Sequence, residues 1–293
     1  MQKDKIKNIG IISPGAMGIS VAATMRRSGF DVYWASAGRS AESVARAEEH
    51  NLLDAHTVAN LCATCEAIVS VCPPHTAVSV AEEVLATGFN GVYLDANAIA
   101  PNKAVHIAEM MAAAGVVFVD GSIIGGPAWE PNSTWLYLSG AQAELVAEFF
   151  AEGPLETAVI GDQIGQASAL KMCFAAYSKG TTALLSMILA GAEALGVRAN
   201  LEEQWSRGGS DFAAQTQQRV RRVTAKAWRF EGEMHEIAAT FASVGLPAGF
   251  HEAAADIYQR LGHFKDAEET QPSQKLSTRY LTSSVSMVKK RSG

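Results

Sequence analysis

The sequence is short of the features that would tie it to a membrane, a nucleic acid or a metal. Its densest apolar stretch, residues 183–194, is interrupted by Gly191 and Glu193, so no run approaches the roughly 20 apolar residues that a bilayer span needs. Residues 1–12 are charged and then apolar for only a few positions, unlike a secretory signal. We therefore expect a soluble, cytoplasmic protein with no membrane partner. Basic residues are outnumbered, 24 Lys and Arg against 30 Asp and Glu, giving a net charge of −6. Without a basic block, nucleic acid is an unexpected partner. Cysteine is scarce: Cys62, Cys65, Cys72 and Cys173 are all there is. Cys62 and Cys65 form a CxxC, but no second Cys or His pair stands at zinc spacing. The pair also precedes a strand-like run instead of following one, which places it at a helix end or turn as reduced, structural thiols. His75, His235 and His251 have no partners at metal spacing either, so no metal site is expected.

What is present is ordinary globular composition, 48% hydrophobic and 18% charged. A chain of 293 residues accommodates one large or two medium domains. From residue 6 to about 160, short apolar runs alternate with amphipathic stretches. Residues 6–12, 31–35, 67–71, 92–95, 116–120 and 136–139 read as strands. Residues 16–28, 41–50, 76–87, 102–114 and 141–152 read as helices. Such alternation implies βαβ units and a buried parallel sheet, an α/β Rossmann arrangement. Beyond Gly161 the texture changes. Residues 165–195 form one stretch rich in Ala, Leu and Met, broken only by Gly180 and Gly191. Residues 202–206, 212–223, 230–244 and 250–261 keep helical spacing, and the tail after Ser283 reads as frayed. The expectation is thus a dinucleotide-binding domain over 1–162 and an all-α domain over 163–293, joined by a long helix.

The first strand runs into Ser13-Pro14-Gly15-Ala16-Met17-Gly18, a GxGxxG loop with its first glycine replaced. Gly15 lets backbone approach a pyrophosphate, Gly18 lets the helix close on the strand, and the helix N-terminus faces the anion. The alternative is a glycine-rich turn of another α/β fold. After the second strand come Ser36-Ala37-Gly38-Arg39-Ser40, with no carboxylate until Glu42. An NAD site usually places Asp or Glu there for the ribose 2′-hydroxyl. Ser36, Arg39 and Ser40 instead suit a 2′-phosphate, one guanidinium fork with two hydroxyls. NADP is favoured over NAD, the alternative for Arg39 being a solvated loop charge.

Together with the loop Gly10-x-x-x-x-Gly15-x-Met17-Gly18, two further segments resemble the β-hydroxyacid dehydrogenase superfamily, which includes 3-hydroxyisobutyrate and 6-phosphogluconate dehydrogenases and is related to imine reductases. They are Asp120-Gly121-Ser122-Ile123-Ile124-Gly125-Gly126-Pro127 and Gly165-x-Ala167-x-x-x-Lys171. The stretch Trp228-Arg229-Phe230-Glu231-Gly232-Glu233-Met234 with Gly245-Leu246-Pro247 looks like a subgroup with its own helical C-terminal domain. The resemblance implies a homodimer, an active site in the cleft between the halves, and Lys171 as the catalytic lysine. It also implies cofactor contacts at Cys72, Pro73 and Asn97, and a substrate loop through Ser122, Ile124, Gly125 and Gly126. The chain departs from the pattern at Ala175, where many members carry a substrate-binding Asn, and at Ile124, where many carry Ser.

Lys171 suits hydride chemistry as a general acid or base. Acting as a base near neutrality needs its pKa lowered from roughly 10.4 by burial or a nearby cation. Lys179, eight residues on, is a candidate for that cation or for a substrate carboxylate. Both lysines have a bland alternative as surface side chains. Ser122 is expected to compensate partly for Ile124, and Trp129, Trp135 and Tyr177 to line a larger, more apolar pocket or simply the core. Glu233 and Glu236 read as solvated or capping groups. The leading expectation is an NADP-dependent dehydrogenase of a 3-hydroxy acid or related β-hydroxy carbonyl compound. Imine-reductase-like C=N reduction and a non-catalytic NADP-binding sensor are the alternatives.

Overall fold

The computed structural model describes residues 6–224 and 227–262, so the expected fraying after Ser283 lies outside the described residues. The chain divides into two compact units, Met1–Met172 and Cys173–Gly293. The division falls inside the long helix and not near Asp162, because the first turns of that helix are bonded into the sheet of the first unit, as described below.

The first unit runs β1 (Asn8–Ile12), α1 (Ala16–Arg27), β2 (Asp31–Trp34), α2 (Ala41–Glu49), β3 (Leu53–Asp54), α3 (Val58–Thr64), β4 (Ala67–Ser70), α4 (Ala77–Ala86), β5 (Val92–Asp95), α5 (Pro101–Ala113), β6 (Val117–Ile124), β7 (Thr134–Ser139), α6 (Ala143–Ala147) and β8 (Leu155–Gly161), then enters α7 (Gln166–Ala175). The eight strands form one sheet in the order β3-β2-β1-β4-β5-β6-β7-β8. Alternate side chains of each strand feed opposite faces. Ala67 and Val69 of β4 join a core with Ile19, Ala22 and Met25 of α1 and Val146 of α6. Ile68 between them joins a second core with Leu61, Ala81 and Ile107 of α3, α4 and α5. The sheet is therefore buried on both sides, which is why its central strands read as unbroken apolar runs.

Four features depart from the pattern reading. The sheet is not wholly parallel: β7 returns antiparallel to β6, from Asp120↔Ser139 to Ile124↔Trp135, while β8 runs parallel to β7. The connection over residues 125–133 holds no helix, and a direct return without a crossover produces an antiparallel neighbour. That pairing also extends β6 to Ile124, so residues expected in a loop lie in a strand. The elements β3, α3 and β8 were not anticipated. The expected helix over 141–152 is reduced to α6 and a 3-10 turn, Glu148–Phe150.

Gly10, in the middle of β1, is a close-approach position. A Cβ there would lie 2.6 Å from Cδ1 of Ile68 and 2.8 Å from Cγ of Leu61, so its absence lets α3 sit directly on the sheet.

The second unit is helical throughout its described residues. A π-helical turn (Ala176–Gly180) joins α7 to α8 (Thr181–Ala194), followed by α9 (Arg198–Ser206), α10 (Phe212–Thr224), α11 (Phe230–Ser243) and α12 (Gly249–Leu261). The continuous helix Gln166–Ala194 is 29 residues long and, by length and composition, apolar enough to span a bilayer, which counting unbroken apolar runs did not reveal. A core helix passes the same test, and Ala183, Leu185, Leu189 and Ala192 of α8 are buried, with α10 and α12 packed beside it. Tyr258 of α12, fully buried, donates its hydroxyl to the Lys179 carbonyl at 2.7 Å and meets the Phe230 ring edge-on.

Gly10→Ala overpacks the α3–β1 contact and should destabilise the chain by about 1–3 kcal/mol. The expected sign is a lower urea midpoint with an unchanged m-value; an unchanged midpoint would show that α3 adjusts freely over β1.

Candidate active site

The phosphate loop leaves β1 through Ser13, whose φ of 68° is left-handed, the conformation glycine adopts most readily. Gly15 follows as the N-cap of α1, with no side-chain cap, and a Cβ on it would meet nothing within 4 Å. On Gly18 a Cβ would lie 2.4 Å from the Ser13 carbonyl oxygen, so only glycine lets α1 close on the loop. An uncapped helix N-terminus beneath open space fits an anionic pyrophosphate. Pro14 and Gly18 are buried, Ser13, Gly15 and Met17 are partly so, and Ala16 is exposed.

Beside this loop, Arg39 donates from Nη1 to Ser13 Oγ at 3.2 Å. Ser40 caps α2, its hydroxyl accepting from Ser43 N at 3.3 Å. Sequence reading missed Arg46, which donates from Nε to the Pro14 carbonyl at 3.4 Å and pairs with Glu42. It also missed Asp54. Register pairs Trp34 with Asp54, so β3 delivers a carboxylate beside the exit of β2. Asp54 accepts from Ser36 Oγ and from His56 N, each at 2.7 Å. Slight burial pushes its pKa up, but the hydrogen bonds from Ser36 and His56 prevail and hold it below the ordinary carboxylate value.

The catalytic candidate is positioned by a buried carboxylate. Asp120 of β6, 1% exposed, accepts from Ser139 Oγ at 3.0 Å, Gly165 N at 2.9 Å, Ser168 N at 3.1 Å and Ser168 Oγ at 2.6 Å. Ser139 in turn accepts from Ala167 N at 3.1 Å. Two adjacent strands thus cap the N-terminus of α7, where an anion is favoured by both unsatisfied N–H groups and the helix dipole. Less than one helical turn beyond Ser168, Lys171 extends back to β6 and donates from Nζ to the Ile123 carbonyl at 2.7 Å. Lys171 is partly buried, and its acceptor Ile123 lies two residues before the glycine pair Gly125-Gly126. Gly125 has φ 135° and would bring a Cβ within 2.6 Å of Thr134 Oγ1; Thr134 pins the loop by donating to the Gly126 carbonyl at 2.8 Å.

Asn97 is 2% exposed and its side chain is committed to protein. Its Oδ1 accepts from Cys72 N at 2.5 Å, and its Nδ2 donates to Ser70 Oγ at 3.1 Å and Asp95 Oδ2 at 3.0 Å. It braces the Cys72–Pro73 turn against β5 and presents no free amide to a cofactor. Asp95, itself fully buried, has its carboxyl pushed up to about 7, first by desolvation, against which the Asn97 hydrogen bonds work, with Asp120 adding repulsion. Burial also raises the thiols: Cys72 and Cys62 upward, Cys65 to about 12. Cys62 lies in α3 and Cys65 caps its end, and both are free.

Other anticipated residues sit differently. Ser122 is fully buried, its hydroxyl without a hydrogen-bond partner, so it does not replace a substrate hydroxyl at Ile124. Ser122 and Ile124 share one face of β6, but Ser122 lies within the buried part of the strand, while Ile124, at the strand end, is partly exposed. Trp129 stacks on His50 with centroids 4.9 Å apart, and Trp135 is partly buried. In the second unit Ala175 is buried at 1% exposure. Lys179 ion-pairs with Glu233 and lies over the Phe230 ring at 4.7 Å, so its charge is matched by a carboxylate and it is no source of uncompensated positive field. Glu233 and Glu236 are buried at 7% and 8% exposure, not solvated. Tyr177 is 69% exposed with the Arg219 guanidinium near its ring. Among the described residues no group of three or more His, Cys, Asp or Glu could hold a metal.

Comparison with known proteins accords with this layout. Residues 8–150 match the NAD binding domain of 6-phosphogluconate dehydrogenase, and residues 192–261 match a domain of unknown function (DUF1932). No curated protein matches the chain. Among solved structures it is similar to the conserved protein MTH1747 of unknown function, described as structurally similar to 3-hydroxyacid dehydrogenases: 26% identity, TM-score 0.65, covering 88% of this chain and 97% of that one. It is also similar in fold to Mycobacterium tuberculosis 3-hydroxyisobutyrate dehydrogenase with L-serine, at 16% identity and TM-score 0.66 over 93% and 99% of the two chains. A Myxococcus stipitatus imine reductase variant in complex with NAD+ shares 18% identity at TM-score 0.53 over 94% and 99%.

The buried Asp95 generates a pH signature. Its carboxyl is raised in the folded chain from 3.8 to about 7, so the folded state binds the proton more tightly than the unfolded state. This group's contribution to stability is therefore fully present below about pH 4 and lost as pH rises to about 7, by up to the order of 4 kcal/mol. Urea unfolding across pH 5 to 8 should show a smaller loss of stability in Asp95→Asn than in the natural chain; parallel curves would refute the buried, proton-holding Asp95.

Proposed function

We propose that the chain, whose residues 8–150 match the NAD binding domain of 6-phosphogluconate dehydrogenase, is a member of the 6-phosphogluconate and 3-hydroxyisobutyrate dehydrogenase superfamily and an NADP-preferring oxidoreductase of a 3-hydroxy acid or related β-hydroxy carbonyl compound. The observation that carries this reading is the Lys171 ammonium, on a helix locked to Asp120, held 2.7 Å from the Ile123 carbonyl, two residues before the Gly125-Gly126 turn. The nicotinamide group supplies, when bound, a hydride acceptor or donor. Pro14–Gly18 would hold its pyrophosphate over the N-terminus of α1, and Ser36, Arg39, Ser40 and Arg46 would face a ribose 2′-substituent. Lys171 moves the proton. As a base it takes the substrate hydroxyl proton when the alcohol is oxidised, and as an ammonium it returns one to the alkoxide on reduction. The Ile123 carbonyl orients its ammonium. The glycine turn leaves room for a substrate carboxylate close to backbone.

Reduction of a C=N bond is a second reading, favoured by the loss of polar side chains at Ile124 and the buried Ala175 and by the imine reductase likeness. The retained lysine supports alcohol chemistry over it. We place the protein in the cytoplasm as a homodimer, with the second unit supplying the contact. Leu195, Val244, Leu246 and Met187 there are half or more exposed, an apolar load in keeping with a self-association surface.

Lys171→Ala should lower kcat/KM by about 10²–10⁴-fold with the NADPH dissociation constant unchanged within about twofold; full turnover would remove the mechanism, and no turnover in either protein with tight NADPH binding would favour a sensor. Arg39→Ala should weaken NADPH by about tenfold or more, as expected for a lost charge-assisted hydrogen bond, and leave NADH nearly unchanged. Isothermal titration of both nucleotides decides it, and equal affinities in the natural chain would remove the 2′-phosphate argument.

A further inference from the structure

A carboxylate beside a site suited to a phosphate calls for an explanation. We propose that Asp54 determines cofactor specificity: it turns Ser36 into an acceptor at the ribose 2′-position and so keeps NADH usable in a pocket whose arginines favour NADPH. The inference rests on the nucleotide reading above and deepens it.

The geometry is local and well defined. β2 and β3 leave the sheet side by side, with Ala55 N bonded to the Trp34 carbonyl at 2.9 Å and Ala37 N to the His56 carbonyl at 2.8 Å. This parallel exit brings Asp54 to Ser36, although 18 residues separate them. A serine hydroxyl has one proton, and here it goes to Asp54 Oδ2 at 2.7 Å. What Ser36 offers outward is a pair of lone pairs. Those accept from a ribose 2′-hydroxyl but have nothing to donate to a 2′-phosphate dianion.

Asp54 itself stays ionised, because His56 N donates to its other oxygen at 2.7 Å and both bonds favour the charged form. Its negative charge repels a phosphate and attracts a hydroxyl proton. At the phosphate loop stand Arg39, reaching Ser13, and Arg46, reaching the Pro14 carbonyl, which attract a phosphate. Glu42 draws on Arg46 and weakens that attraction. The pocket thus brings opposed charges to bear on a 2′-substituent. Asp54 does from the neighbouring strand what a carboxylate at the end of β2 does in a common NAD site.

The test is titration of the full-length chain with NADPH and, separately, NADH, for the natural protein, Asp54→Asn, Ser36→Ala and Arg39→Ala. Asparagine keeps an oxygen for His56 N and an amide for Ser36, so the turn retains its bonds while the charge goes. Asp54→Asn should tighten NADPH about tenfold and weaken NADH a few-fold, raising the preference for NADPH by more than tenfold. Ser36→Ala should weaken NADH a few-fold and leave NADPH within twofold. A preference within twofold of the natural value in Asp54→Asn, with thermal unfolding unchanged, overturns the proposal. Where Arg39→Ala collapses the preference and Asp54→Asn does not move it, the phosphate subsite stands and the role of Asp54 falls. Where Arg39→Ala has no effect either, the nucleotide reading beneath it falls as well.

Discussion

The first unit depends on one buried anion. Asp120 lies in a strand closed to water, yet each of its hydrogen bonds comes from a group that would otherwise be stranded. They are two backbone N–H groups at the start of α7, the Ser168 hydroxyl on the same turn, and the Ser139 hydroxyl of the next strand. A carboxylate so placed is stabilised by a helix end without needing a cation. It fixes where α7 begins and along which line it runs, and Lys171 reaches Ile123 only because that line is set. The cost appears one strand away. Asp95, paired in register with Asp120, carries a second carboxyl in the same dry layer and holds its proton to about pH 7.

Much of this was legible in the sequence, and what was not has physical reasons. The alternation of buried strands with helices marked β1, β2, β4, β5 and their helices to within a residue or two, because burial on both faces leaves continuous apolar runs. β3 escaped because it is two exposed residues, Leu53 and Asp54, with no pattern to detect. α3 is seven residues long with only Leu61 and Cys62 buried, too short for periodicity to register. The antiparallel turn of β6 into β7 was masked by a glycine-rich segment that reads equally as a loop.

The site followed the same division. Ser13 to Gly18, Ser36, Arg39, Ser40 and Lys171 stand on local motifs and were legible as candidates. Asp54 and Arg46 act across strand pairing and across a loop, relations that exist only once the sheet is assembled. Asn97 was found for the wrong reason: it sits beside the Cys72 turn as expected, but as a brace whose donors and acceptor are already engaged. Lys179 was chosen for its spacing from Lys171, and spacing alone could not reveal that Glu233 and Phe230 from α11 hold it.

Ser13 carries a last consequence. A serine at φ 68° stores roughly 1–2 kcal/mol of backbone strain that glycine would not. Its hydroxyl is what Arg39 grips across the loop. The strained residue therefore acts as a latch that holds the guanidinium against the loop. A chain that relaxed the turn with glycine would shed that strain and lose the hydroxyl that holds the guanidinium, leaving the arm loose.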